Sequence, residues 1–150
     1  MTSDEKILVC VHHVPNGEQL IRRGGELSNL FHCPLYVLNI TPEHASAHKQ
    51  KKEGLNVQWQ QICDKWEATL VTKTCDAKKV VDMIADVAKQ YGITQLIIGQ
   101  SGQTRWQEIW HRSFINELLR EMDGVDIHVV SVDRLISAAK EDATAIAHTV

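Results

Sequence analysis

Ile93-Thr94-Gln95-Leu96-Ile97-Ile98-Gly99-Gln100-Ser101-Gly102 is the stretch that decides the fold. Its apolar run, Leu96 to Ile98, does not alternate with polar residues. A strand buried on both faces has this pattern, because helices cover both sides of a parallel sheet. Gly99 ends the strand and Gly102 follows, so backbone there can approach a ligand closely and turn N–H groups toward an anion. Ser101 and Thr104 add hydroxyls, and Arg105 adds a planar cation. Ser113 stands where the next helix opens, and a helix N-terminus is a further anion site. The local pattern leaves two readings open: a nucleotide or phosphate loop, and an ordinary Gly-rich turn joining strand to helix.

The same alternation of strand and helix extends in both directions. Lys6 to Val11 is a second unalternating apolar run, followed by the breakers Pro15, Asn16 and Gly17. Asn16 is a candidate N-cap for a helix whose expected buried stripe is Leu20, Gly24, Leu27 and Leu30 with Phe31. Leu35 to Ile40 is a strand led by Pro34. The polar stretch Pro42 to Gly54 reads as a mobile connection or an exposed helical turn. Trp59, Ile62, Cys63 and Trp66 make the inner face of a second helix, and Ala68 to Thr72 a third strand. Asp76 is the expected cap of a third helix, with stripe Val80, Ile84, Val87, Ala88 and Tyr91 and a stop at Gly92. A fourth helix, Ser113 to Met122, is expected to pack through Ile115, Leu118, Leu119 and Met122, and Asp126 to Val132 is the fifth strand. Five strands separated by helices predict an α/β domain, an open parallel sheet with right-handed crossovers and helices on both faces. The domain is assigned to residues 1–133, and 134–150 to a tail, helical or frayed.

Composition narrows the function classes. The 150 residues are 43% apolar, enough for one core without staples, and 16 basic against 19 acidic residues argue against a polyanion binder. No apolar run approaches the ~20 residues of a membrane span, and the polar N-terminus runs directly into a strand, so no signal peptide or membrane insertion is expected and the cytoplasm is the expected location. Cys10, Cys33, Cys63 and Cys75 are scattered, and the expectation is that they serve as small core hydrophobes. Gly-x4-Gly-Lys-Ser/Thr is absent, as are Gly-x-Gly-x-x-Gly and Gly-x-Ser-x-Gly. No catalytic constellation is visible, so the chain is not expected to be an enzyme.

The run Leu96-Ile97-Ile98-Gly99-Gln100-Ser101-Gly102, with Ser113 downstream, resembles the universal stress protein family over roughly residues 6 to 132. ATP-binding members of that family carry Gly-x2-Gly-x9-Gly-Ser/Thr after the fourth strand. Gly99 and Gly102 match, Arg112 takes the third glycine position, and Ser113 matches again. His12 stands where such members place an aspartate for adenine. Ile7-Leu8-Val9-Cys10-Val11, Leu20-Ile21-Arg22-Arg23-Gly24 and Gly99-x-Ser101-x3-Arg105-Trp106 are also similar to the universal-stress domain of the potassium-sensing kinase KdpD. Some such domains bind cyclic di-AMP through a Ser-x-Ser pair after the first strand and an aromatic motif on the second. Here His12 and His13 replace the serines, and only Tyr36 is similar to the second motif.

The resemblance implies a Rossmann-like sheet of order 3-2-1-4-5 and a non-catalytic sensor in a stress or potassium response. Its ligand would be ATP, AMP or cyclic di-AMP, with Mg2+ as companion ion. The pocket would be lined by His12, His13, Ile40, Gly99, Gln100, Ser101, Gly102, Arg105, Arg112 and Ser113. Within it, His12 and Ile40 would meet adenine, the Gly loop and Ser113 the phosphates, and Arg105 or Arg112 their charge. The resemblance further implies a homodimer through 126–132, an apolar edge strand that needs covering. The alternative is a nucleotide-independent interaction module docking on a kinase or transporter.

Other residues carry a bland and a sharp reading each. His44 and His48 have a helical metal spacing but no acid partner, so solvated surface competes with a metal site. Trp106 and Trp110 are either a hydrophobic cover over the sheet edge or a lid that stacks on a base or meets a partner. Lys49, Lys51 and Lys52 are either a solvated face or a contact for an acidic partner.

Overall fold

The computed structural model describes residues 4–11, 16–42, 49–76, 79–100 and 112–131. Its elements alternate along the chain: β1 (Ile7–Val11), α1 (Asn16–Phe31), β2 (Leu35–Pro42), α2 (Lys49–Lys65), β3 (Thr69–Cys75), α3 (Val80–Tyr91), β4 (Gln95–Gln100), α4 (Arg112–Glu121) and β5 (Asp126–Ser131). All strand pairs are parallel, and the order is β3-β2-β1-β4-β5, as expected.

β1 sits at the centre because its five residues are apolar on both faces. None is more than 1% exposed. Period-two alternation divides them between two cores. Ile7, Val9 and Val11 join Val37, Ile97, Leu20, Ile21, Trp59 and Cys63 under α1 and α2. Leu8 and Cys10 join Leu38, Ile40, Leu96, Ile98, Ile84, Phe114 and Leu118 under α3 and α4. Each fully buried aliphatic side chain contributes about 2 kcal/mol by removal from water, so the central strand anchors both layers.

Close backbone approach fixes α1 on the sheet. A Cβ on Gly24 would lie 2.5 Å from Val9 Cγ2 and 3.1 Å from Leu35 Cδ1, and one on Gly25 would collide with the Trp66 ring. This seating rolls α1 toward α2. Ile21 is therefore fully buried, whereas Leu30 is 75% exposed and Phe31 39%, against the expected stripe. Helix α4 differs in a similar way: Phe114, Leu118 and Met122 are buried, while Leu119 is 55% exposed.

Boundaries also move. Helix α2 begins at Lys49, inside the stretch read as a connection or a helical turn, and β4 runs through Gly99 to Gln100. Helix α3 has Lys79 at its cap without a side-chain hydrogen bond, where Asp76 was expected; the Asp76 carbonyl accepts the Lys79 N–H at 2.9 Å. The stop at Gly92 is as expected, with φ 66° and its N–H turned back on the Ala88 and Lys89 carbonyls. All four cysteines are free and buried. Burial pushes the Cys63 thiol up to about 11, with Asp64 adding to the effect, and Cys10 higher still. Thiols held this far from ionisation pack as apolar groups.

Candidate functional site

The order β3-β2-β1-β4-β5 reverses direction between β1 and β4, and the sheet opens there. The β1–β4 ladder pairs Ile7 with Gln95, Leu8 with Leu96 and Val9 with Ile97. Beyond Val9, Cys10 and Val11 continue along β2, while Ile98, Gly99 and Gln100 continue along β5. The two halves of the sheet thus part at their carboxyl ends, forming the crevice where open α/β sheets take ligands.

Helices α1 and α4 both start on the carboxyl side of the sheet, at this crest. Helix α1 begins at Asn16, five residues after Val11, and α4 at Arg112 on the chain leaving β4. The first turn of α1 carries Glu18, whereas that of α4 carries no acid, so α4 offers an anion the less compensated positive end. Gly99 is half-buried on the β4 wall. Ile40 is 3% exposed and belongs to the core under α3 and α4. Gln100 ends β4, and Arg112 and Ser113 open α4, so these positions lie toward the carboxyl side of the sheet.

His12, His13, Ser101, Gly102 and Arg105 lie outside the described residues, as do His44, His48, Trp106, Trp110 and 134–150. Lys49, Lys51 and Lys52 fall within α2. Among the described residues, no group of three or more His, Cys, Asp or Glu side chains is placed to hold a metal ion, and no helix is long and apolar enough to cross a membrane.

Sequence reasoning passes over two features of this crest. Asn39 is a buried polar residue, 6% exposed, paired with Val11 on one side and Thr72 on the other. Gly17 receives the Trp59 ring, and an added Cβ would collide with it and stand 3.0 Å from Val11 Cβ. The available signals were an amide alone in an apolar strand and a glycine in the first turn of a helix.

The opposite pole of the sheet is closed by polar contacts. Thr94 Oγ1 donates to Glu5 Oε2, Gln95 Nε2 donates to the same oxygen at 3.2 Å, and His128 Nε2 lies 2.8 Å from Gln95 Oε1. The Gln95 amide group faces the carboxylate, so its oxygen accepts from His128 and the ring carries a proton on Nε2. Hydrogen bonds from Thr94 and then Gln95 hold Glu5 below the ordinary carboxylate range.

Residues 5–131 match the family model of the universal stress protein family. A putative sensor protein KdpD from Synechocystis sp. is 35% identical over 128 residues, which cover 85% of this chain and 34% of that protein. The chain thus spans about a third of that relative's length. A universal stress protein from Archaeoglobus fulgidus in complex with dAMP superposes with a TM-score of 0.58 at 18% identity, over 85% of this chain and 98% of that one. A universal stress protein in complex with cAMP gives a TM-score of 0.60 at 12% identity, over 85% and 97%.

Proposed function

Because the chain belongs to the universal stress protein family, we propose that it is an adenine-nucleotide-binding regulatory module without catalytic activity. The observation that carries this reading is the crevice where the β1–β4 ladder ends after three rungs, beside the uncompensated N-terminus of α4. A phosphate at that helix start is stabilised by free N–H groups and the helix dipole. The dAMP and cAMP complexes of proteins with this fold support an adenine nucleotide as ligand.

ATP, AMP and cyclic di-AMP are the candidate ligands, with Mg2+ accompanying a triphosphate. The pocket consists of His12, His13, Ile40, Gly99, Gln100, Ser101, Gly102, Arg105, Arg112 and Ser113. Arg112 supplies charge where a third glycine would supply backbone, which favours fewer phosphates over a wrapped triphosphate. Similarity to a KdpD protein supports a potassium or stress response in the cytoplasm, with a sensor kinase or transporter as partner. Strand β5 is an edge, and Val129 on it is 40% exposed, which supports a homodimer through 126–132.

Isothermal titration with magnesium-ATP, AMP and cyclic di-AMP tests the reading, after mass spectrometry for co-purified nucleotide. Micromolar binding of one ligand is the expected result, and Gly102→Val abolishes it without changing the circular dichroism. Silence from all three, with no nucleotide carried through purification, overturns the reading in favour of a nucleotide-independent interaction module. Sedimentation at high micromolar concentration checks the dimer, which a monomer there would refute.

A further inference from the structure

Asn39 interrupts a strand that is otherwise buried for apolar reasons. Leu35, Val37, Leu38 and Ile40 are each at most 3% exposed, and Asn39 is 6% exposed among them. Its carboxamide has no hydrogen-bond partner among the described residues. A buried amide left unpaired costs more than an apolar residue of the same shape. That cost points to a group which pairs with it in the working state.

The register shows where. Asn39 is level with Val11, the last residue of β1. Alternation places it on the face of Val37 and Val11, below the junction of β1 with α1, where Gly17 and Trp59 meet. β2 and β4 flank β1 on either side, so Asn39 and the carboxyl end of β4 lie about 10 Å apart across the crevice. That is the reach of a mononucleotide whose phosphate sits at the start of α4 and whose base lies over β1 and β2.

We propose that Asn39 is the base-specificity residue of this site. Its Oδ1 accepts from the 6-amino group of adenine, and its Nδ2 donates to the adjacent ring nitrogen. An amide presents a donor and an acceptor side by side, and adenine presents the complementary pair. A neutral imidazole at position 12 offers only one of the two at a time toward the same edge. The inference rests on the adenine-nucleotide reading and assigns its base recognition to a residue on β2.

The test compares AMP with purine riboside 5′-monophosphate, which lacks the 6-amino group, in wild type and in Asn39→Leu. Wild type is expected to prefer AMP by about tenfold or more, since a site built around a polar group rejects a ligand that leaves it unpaired. Asn39→Leu keeps the branched outline of the amide without its polar atoms and is expected to bind the two ligands equally. Thermal melting of the variant, expected to match wild type without ligand, separates base recognition from folding. An unchanged preference in Asn39→Leu overturns the role of Asn39 and leaves the nucleotide reading standing. Wild type that binds neither ligand overturns both.

Discussion

Two buried carboxamides, at opposite ends of one sheet, have opposite fates. Gln95, 8% exposed, is bonded on both sides, to Glu5 and to His128. Asn39, 6% exposed, has no partner among the described residues. Equal burial therefore does not mean equal role. The amino pole of the sheet is completed by the chain's own side chains, so it holds β1, β4 and β5 together. The carboxyl pole keeps an amide without a partner among the described residues, and in our proposal a ligand completes it. A satisfied polar group adds to stability, and an unsatisfied one adds to binding.

The sharpest way to break this comparison is to show that Asn39 is unpaired because its surroundings are loose. Gly17→Ala tests that, because its methyl group must displace the Trp59 ring and press on Val11. Tight packing predicts a loss of about 3 kcal/mol in urea denaturation; a loss near zero would mean a slack crest. Gln95→Leu comes next, with an expected loss of about 2 kcal/mol for two hydrogen bonds of a buried amide, because it removes the Gln95 partner of His128 and one of the donors to Glu5, which keeps Thr94. Asn39→Leu, the matching change at the other pole, is expected to stay within about 1 kcal/mol of wild type or to stabilise. Equal losses for the two amides would erase the distinction.

The smallest effect is in acid. Thr94 and Gln95 lower the pKa of Glu5 in the folded state, so the unfolded chain takes up this proton more readily. The contribution is complete at neutral pH, above the unfolded carboxylate value, and is lost as pH falls through the folded value. Glu5→Gln is expected to flatten the acid side of the stability profile relative to wild type, measured by melting between neutral pH and the acid range.

The strands were legible because a parallel sheet leaves an unmistakable trace. Ile7 to Val11 and Leu96 to Ile98 do not alternate, and only a strand covered on both faces tolerates that. Helix faces were less legible. The roll of α1 follows from Gly24 against Val9 and Gly25 against Trp66, contacts that no periodicity in the helix itself encodes. The start of α2 was legible only as one of two readings, because Lys49-Gln-Lys-Lys-Glu carries no apolar stripe and its helicity comes from residue propensity. At the site, the close backbone approach expected of Gly99 and Gly102 falls on the end of β4 and on a residue outside those described. Asn39 did not announce itself, since an amide inside a strand becomes informative only once Val11 and Thr72 are known as its neighbours.

The central strand has a further consequence, for the order in which the chain matures during synthesis. β1 can pair with β2 once Leu35 to Asn39 have been made. Its other edge has no strand until Gln95 to Ile97 arrive, and the Lys6–Thr94 hydrogen bond that accompanies this pairing spans 88 residues. For more than half the length of the chain, then, the most apolar strand of the molecule presents an open flank to the ribosome exit and to neighbouring nascent chains. Strand β4 closes that flank as it emerges.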